Sequence, residues 1–143
     1  MSAPYSAHCA CGGVTATVSG EPVAVRECWC RQCQQIATGS PARSAMFRVE
    51  DIAISGKLAA HEYTAASGNQ LTQYFCPNCG AHVMGQSSGR PQFRTLRLGF
   101  LDIGHGLAPT MAVWVSDAPG YAWIDPKLEQ FSHQPPPPTG GTQ

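Results

Sequence analysis

Charged residues are scarce in this 143-residue sequence, and neither sign predominates. Asp, Glu, Lys and Arg make up 13% of the chain, with nine acidic and nine basic side chains. A chain without net charge lacks the broad attraction that draws a protein to nucleic acid or to an anionic membrane surface. We therefore expect neither as a partner.

Long apolar runs and long helical patterns are also lacking. No stretch approaches the ~20 apolar residues of a membrane-spanning helix. Residues 1–8 show neither the basic start nor the apolar core of a secretory signal. The sequence therefore predicts a cytoplasmic protein.

Short alternating segments, separated by Gly and Pro, fill most of the chain and predict a mainly β domain. The predicted strands cover residues 14–19, 45–49, 52–55, 58–63, 72–75, 95–100 and 111–115. A short helical turn is predicted at 34–39. One domain over residues 1–131 is expected, followed by a Pro/Gly-rich tail, residues 132–143, that we expect to be disordered.

Seven cysteines stand out against this background. In a reducing compartment, closely spaced thiols indicate metal binding or catalysis rather than disulfides, and an odd number leaves one thiol unpaired. Two pairs, Cys9-Ala-Cys11-Gly and Cys76-Pro-Asn-Cys79-Gly, have the tight spacing that supplies two corners of a tetrahedral zinc site. Together they predict one structural zinc; two unrelated pairs of buried cysteines are the alternative.

The remaining cysteines, Cys28, Cys30 and Cys33, have no obvious fourth cysteine. Three protein ligands and one exchangeable position are typical of a catalytic zinc, and soft thiolates suit a thiol substrate. Arg26 and Arg31 flank the motif and could offset its charge or bind a substrate carboxylate.

Two other interpretations of these three cysteines stay open. A histidine could close the shell as a second structural site; the candidates are His8, His61, His82, His105 and His133. A dithiol switch at Cys30 and Cys33 is a weaker hypothesis, because the helix of a βαβ unit that would lower a thiol pKa is missing.

Several other residues are interpreted more simply. Aromatic residues in a small β domain could line a substrate pocket but are usually core, and Asp102 after a strand end could act as a base or orienting group but is more typical of a turn cap. Arg94 and Arg97 lie on an alternating segment and could bind a ligand carboxylate, although a solvated face is the commoner explanation. The aromatic residues concerned are Phe100, Trp114, Tyr121 and Trp123.

The cysteine pattern resembles that of the glutathione-dependent formaldehyde-activating enzyme (Gfa) family, whose domain is also found in centromere protein V. The likeness extends through Leu98-Gly-Phe-Leu-Asp102 and Val113-Trp-Val-Ser-Asp117 and covers residues 5–131. It implies a β-tent fold of small antiparallel sheets pinned by structural zinc. It also implies two zinc ions, with Cys9, Cys11, Cys76 and Cys79 holding the structural one and Cys28, Cys30 and Cys33 the catalytic one.

The implied activity is that of a carbon–sulfur lyase, joining glutathione to formaldehyde as S-(hydroxymethyl)glutathione. A small thiol such as glutathione and an aldehyde-derived electrophile would then be the partners. Trp29 and Ala112 depart from the family pattern, which often has His at both places, and we expect both at the lip of the substrate site. The alternative function is a non-catalytic zinc module that binds a partner. The sequence predicts no oligomeric state.

Overall fold

β-Strands dominate the computed structural model, which describes residues 2–136. Within this part of the chain, strands β1–β11 are Tyr5–His8, Thr15–Val18, Ala24–Cys28, Ala42–Arg48, Ile52–Ser55, Ala59–Thr64, Gln70–Phe75, His82–Ser87, Phe93–Arg97, Met111–Val113 and Glu129–Gln130. One α-helix, α1, spans Arg31–Ile36, and 3-10 turns cover Val49–Asp51 and Val115–Asp117. The prediction of a mainly β protein is confirmed.

The strands form one small and one large sheet. The small sheet has the order β1-β2-β5 and is antiparallel. The large sheet has the order β11-β10-β3-β4-β9-β8-β7-β6. In it, β10 is parallel to both β3 and β11, which the expectation of small antiparallel sheets did not include. Parallel neighbours need a long connection: residues 114–128 link β10 to β11, and the chain forms β4 to β9 between β3 and β10.

Four strands and the start of the helix differ from the predictions. β1, β3, β8 and β11 were not predicted; β1 has small residues at its centre, and Arg26 and Glu27 interrupt β3. Helix α1 begins at Arg31 rather than near residue 34, since Cys30 caps it. The Cys30 sulfur accepts a hydrogen bond from the backbone N–H of Cys33 at 3.4 Å, as an N-cap side chain does.

The hydrophobic core includes side chains of both sheets. Val14 and Val18 around the small sheet, and Phe47 and Leu96 of the large one, are fully buried in one cluster. Burial of each such side chain contributes ~1.5–3 kcal/mol. The same cluster contains two of the predicted zinc ligands, Cys9 and Cys76. The core therefore extends up to that candidate metal site.

The C-terminal residues that the structure describes lie against β10 and the turn after it. The backbone N–H groups of Trp114 and Val115 donate to the carbonyls of His133 and Phe131 at 3.2 and 3.1 Å. Residues 132–135 of the predicted tail thus have defined neighbours, and residues 137–143 lie outside the described part. The domain boundary at residue 131 stays a prediction.

No helix in the described part of the chain has the length and apolar character required to cross a membrane.

Gly56, after β5, provides a test of how the small sheet meets the first cysteine loop. Its φ is 109°, and a Cβ placed there would lie 2.1 Å from the carbonyl oxygen of Gly13. Gly68 has a φ of 89° but no atom within 4 Å of such a Cβ. Gly56→Ala should therefore lower the free energy of unfolding by ~3 kcal/mol or more, and Gly68→Ala by only ~1–2 kcal/mol. Urea denaturation measures both, and equal losses would contradict the close approach of Gly13.

Candidate metal centres and cavity

Four cysteines from two loops converge at one end of the core. Cys9 and Cys11 lie between β1 and β2, and Cys76 and Cys79 lie between β7 and β8. Their four sulfurs lie within 4.8 Å of one another, with Cys9–Cys11 and Cys11–Cys76 separations of 3.7 Å. A tetrahedral zinc with Zn–S bonds of ~2.3 Å has S–S edges of ~3.8 Å. The donor set and its spacing therefore fit zinc, which is the ion we predict here.

The two loops have the same backbone design. The glycine after each pair, Gly12 or Gly80, has a φ of 77° and donates its N–H to the carbonyl of the first cysteine, Cys9 or Cys76. Glycine adopts this left-handed conformation without a Cβ penalty. The turns bring backbone N–H groups onto the sulfurs, as with Val14 N–H to Cys9 Sγ at 3.2 Å.

These amides favour the ionised form of the thiols. Backbone N–H groups of Ala81 and Cys11 lower the pKa of Cys79 to about 6. A hydrogen bond from the Asn78 side chain is the main cause that lowers the pKa of Cys11. Because the thiolate is the form that binds metal, the loops are prepared for an ion.

The second cluster is built around the start of α1. Cys28 is the last residue of β3, Cys30 caps the helix, and Cys33 lies in its first turn. Their three sulfurs also lie within 4.8 Å of one another. Among the described residues, no histidine, aspartate or glutamate joins this group. The arrangement fits three ligands of one soft metal ion and gives no support to closure by a histidine.

Negative charge in this cluster concentrates on the capping cysteine. Hydrogen bonds from the thiols of Cys28 and Cys33 lower the pKa of Cys30 to about 3. The hydrogen bond to Cys30 is the largest cause that raises the pKa of Cys28 to about 11. Hydrogen bonds to Cys28 and Cys30 also raise the pKa of Cys33. The hydrogen bonds within the group thus favour the thiolate at Cys30 and the thiol at Cys28 and Cys33.

The three cysteines open into a cavity of about 470 Å³, a size suited to a small molecule. Its base is one face of the large sheet. Arg26, Ser44 and Arg97 lie in one row across β3, β4 and β9. Thr95, Gly85 and Gln73 lie in the next row, across β9, β8 and β7.

Because Gly85 has no side chain, the polar side chains of Gln73 and Arg97 can meet above it on this face. A Cβ at Gly85 would lie within 3.4 Å of side-chain atoms of Gln73, Thr95 and Arg97. Arg97 donates hydrogen bonds to the Gln73 side chain and, at 2.8 Å, to Ser44 Oγ. This guanidinium is thus held in place on the cavity face.

The cavity has a positive wall. Arg26, Arg90 and Arg97 all line it, and no carboxylate of residues 2–136 forms an ion pair with any of them. Burial, and then the charge of Arg90, lower the pKa of Arg26 to about 10, so it remains charged at neutral pH. Partly buried cations without a carboxylate partner favour an anionic ligand.

Several predictions about the surroundings of the three cysteines need correction. Trp29 and Ala112 are buried and do not line the cavity. The Trp29 ring N–H donates to Glu27 at 3.1 Å, on the strand face opposite to Arg26 and Cys28. Ala112 lies in the middle of the parallel ladders of β10. Neither residue is at the lip of the site.

The arginine interpretation is also partly wrong. Arg97 faces the cavity rather than solvent, whereas Arg94 donates to the carbonyls of Pro91 and Phe93 and does not line it. Arg90 was missed, because it follows a Ser/Gly-rich loop with no periodic pattern. Arg26 and Arg31 both line the cavity, as their position beside the motif indicated.

The aromatic residues divide between core, cavity and surface. Phe100 is core, but Tyr121 and Trp123 are 74% and 73% exposed. Trp114 lines the cavity and has a left-handed φ of 58°, which is rare for a bulky side chain. Asp102 accepts hydrogen bonds from Ser6 and His8 and so ties its loop to β1.

These features define a mainly β protein with two cysteine clusters that could hold metal ions, one of them open to a cavity. The family model described as glutathione-dependent formaldehyde-activating enzyme matches residues 4–117. The chain therefore belongs to the Gfa family.

One solved structure supports the fold. It is the crystal structure of a Rhodobacter sphaeroides protein, similar at 22% identity with a TM-score of 0.56. The match covers 73% of this chain and 91% of that one, and at this identity it shows the fold alone. No curated protein sequence matches the chain.

The two clusters should respond differently to loss of one cysteine. We expect two zinc ions per purified chain, falling to one in Cys30→Ser and in Cys79→Ser. Because serine also caps helices, Cys30→Ser should leave the free energy of unfolding nearly unchanged. Cys79→Ser should lower it strongly, since its ion joins two distant loops. Elemental analysis and urea denaturation measure these effects; one zinc in the unaltered protein would contradict two sites.

Proposed function

We propose that this protein is a zinc-dependent carbon–sulfur lyase that forms and cleaves the adduct of a small thiol, such as glutathione, with an aldehyde such as formaldehyde. The observation that carries the proposal is the position of Cys28, Cys30 and Cys33 at a cavity whose arginines have no carboxylate partner among the described residues. Membership of the Gfa family supports the same chemistry. Because free thiols need a reducing compartment, the proposal places the protein in the cytoplasm.

The cavity suits a thiol that carries carboxylates. Glutathione has two carboxylates, and Arg26, Arg90 and Arg97 offer rigid donor forks on the cavity wall. Arg26 and Arg97 are two strands apart in one row, so their Cα atoms are separated by ~10 Å at the usual strand spacing. An extended peptide-like thiol can reach both arginines and still direct its sulfur to the three cysteines.

Cys28, Cys30 and Cys33 would hold the catalytic zinc, which supplies Lewis-acid polarisation when bound. In the synthetic direction, the thiol sulfur forms a bond to the aldehyde carbon, and the C=O π bond breaks. The thiol proton ends on the new hydroxyl oxygen. Cleavage is the reverse, so neither an oxidant nor a reductant is needed.

Tyr63 is the protein group best suited to hold a proton near this oxygen. It lines the cavity, and its oxygen accepts a hydrogen bond from Gln73 at 3.2 Å. Burial, with a smaller effect of the nearby Cys30 and Cys33 charges, raises its pKa. The phenol therefore stays protonated at neutral pH and can donate to a developing alkoxide.

The arginine role can be tested with two thiols. Arg26→Gln should raise KM for glutathione about tenfold or more, because a hydrogen bond to a charged group contributes ~1.5–3 kcal/mol. It should not change KM for 2-mercaptoethanol, which has no carboxylate. Arg94→Gln is the matched control, since Arg94 lies outside the cavity. NMR exchange spectroscopy of the thiol–formaldehyde equilibrium measures the rates.

No acceleration over the uncatalysed reaction in the zinc-loaded protein would remove the enzymatic proposal. Retained zinc without turnover would then favour the alternative of a non-catalytic zinc module. An equal rise of KM for both thiols would instead show that Arg26 does not bind the substrate carboxylate.

Tyr63→Phe tests the proton donor. We expect kcat to fall about a hundredfold, the lower range for loss of a general acid, with little change in KM for glutathione. Zinc content and circular dichroism should match those of the unaltered protein. An unchanged kcat would show that the proton reaches the oxygen by another route.

A further inference from the structure

The C-terminal strap, defined here as residues 131–136, adds a wall to the cavity. Gln134 and Pro135 both line it, and Pro135 is buried. The strap lies beyond residue 117, where the family match ends. The cavity of this chain is thus completed by residues outside the family-matched region.

Trp114 connects the strap to the cavity. Its backbone N–H donates to the His133 carbonyl, and its ring N–H donates to Gln134 Oε1 at 3.3 Å. The His133 ring packs against the indole edge-on, with 4.9 Å between ring centroids. A left-handed bulky residue persists only where its neighbours determine its conformation, and here the strap provides them.

The strap bounds the cavity on the side of the cysteines rather than that of Arg97. Val113, immediately before Trp114, is the registered partner of Cys28 on the neighbouring strand. One strand spacing is ~5 Å, whereas Arg97 lies two strands from β3 in the opposite direction. Groups attached to a sulfur at the three cysteines therefore meet the strap before they meet Arg97.

We infer that Gln134 and Pro135 are specificity-determining residues that limit the size of the aldehyde-derived group on the substrate sulfur. This inference rests on the proposed function, because it assumes that a thiol adduct occupies the cavity. The wall consists of the buried Pro135 ring and of Gln134, which is hydrogen-bonded to Trp114, so a longer substituent directed at it would have to displace the strap.

Unreactive thioethers of glutathione test the inference without turnover. S-methylglutathione represents the one-carbon adduct, and S-hexylglutathione carries a longer chain in the same place. Calorimetric titration of the zinc-loaded protein should show S-methylglutathione binding at least about tenfold more tightly, within the range that extra methylenes cause in a confined pocket. A chain ending at His133 should lose this preference.

The controls separate the strap from the rest of the C-terminus. A chain ending at Pro136 removes only residues 137–143 and should keep the preference. Pro135→Gly and Gln134→Ala should each reduce the preference for S-methylglutathione. Both variants retain the backbone hydrogen bonds of residues 131–133, so they test the inference even if the truncated chain does not fold. The same preference in every variant would overturn the inference and leave the proposed function intact.

Failure of the proposed function has a different signature. If neither thioether binds any variant, the thiol-adduct site is wrong, and the strap is then tested by zinc transfer to a bulky chelator. Faster transfer from the chain ending at His133 than from the chain ending at Pro136 would support the strap as a wall of the cavity. Equal transfer rates would also overturn the role of the strap as a wall of the cavity.

Discussion

The convergence of Cys9, Cys11, Cys76 and Cys79 is the constraint on which the rest of the fold depends. These residues lie on two loops that are distant in sequence, with Cys76 lying 65 positions after Cys11, one loop in the small sheet and one in the large. The first loop is also in close contact with the backbone after β5 through Gly13 and Gly56. With the sulfurs in place, the two sheets can bury Val14, Phe47 and their neighbours between them. A metal ion held by the four sulfurs would give a helix-poor domain of this size a cross-link that packing alone does not supply.

The position of the second cluster, Cys28, Cys30 and Cys33, depends on the large sheet. Cys28 ends β3, which has β4 on one side and the parallel strand β10 on the other. The row of Arg26, Ser44 and Arg97 is set by the same register, so metal ligands and cations share one face. On the opposite face, buried Glu27 contacts Arg43 at 3.3 Å and Trp29 at 3.1 Å, which fixes the strand that carries Cys28. The positions of Cys28, Arg26 and Arg97 are therefore consequences of two strand pairings, β3 with β4 and β4 with β9.

Sequence reasoning predicted the parts that depend on local spacing. The division of seven cysteines into four and three, the β class and most central strands follow from short motifs and alternation. What it missed depends on pairing between distant segments. Arg97 became a cavity residue because β9 pairs with β4, and Trp29 turned inward because Glu27 accepts its N–H. Arg90 and Pro135 reach the cavity from segments with no periodicity at all.

Cys30 is both a candidate metal ligand and the cap of α1, and this has a consequence for how the ion is exchanged. The cap hydrogen bond from Cys33 is part of the helix itself, so backbone and cap already define the first helical turn around the three sulfurs. Binding of a metal there requires little ordering of the chain, and release undoes little structure. The four-cysteine site differs, because an ion there would join loops that are distant in sequence. We therefore expect zinc at Cys28, Cys30 and Cys33 to exchange with the free zinc of its surroundings, and zinc at the four-cysteine site to stay bound for as long as the protein stays folded.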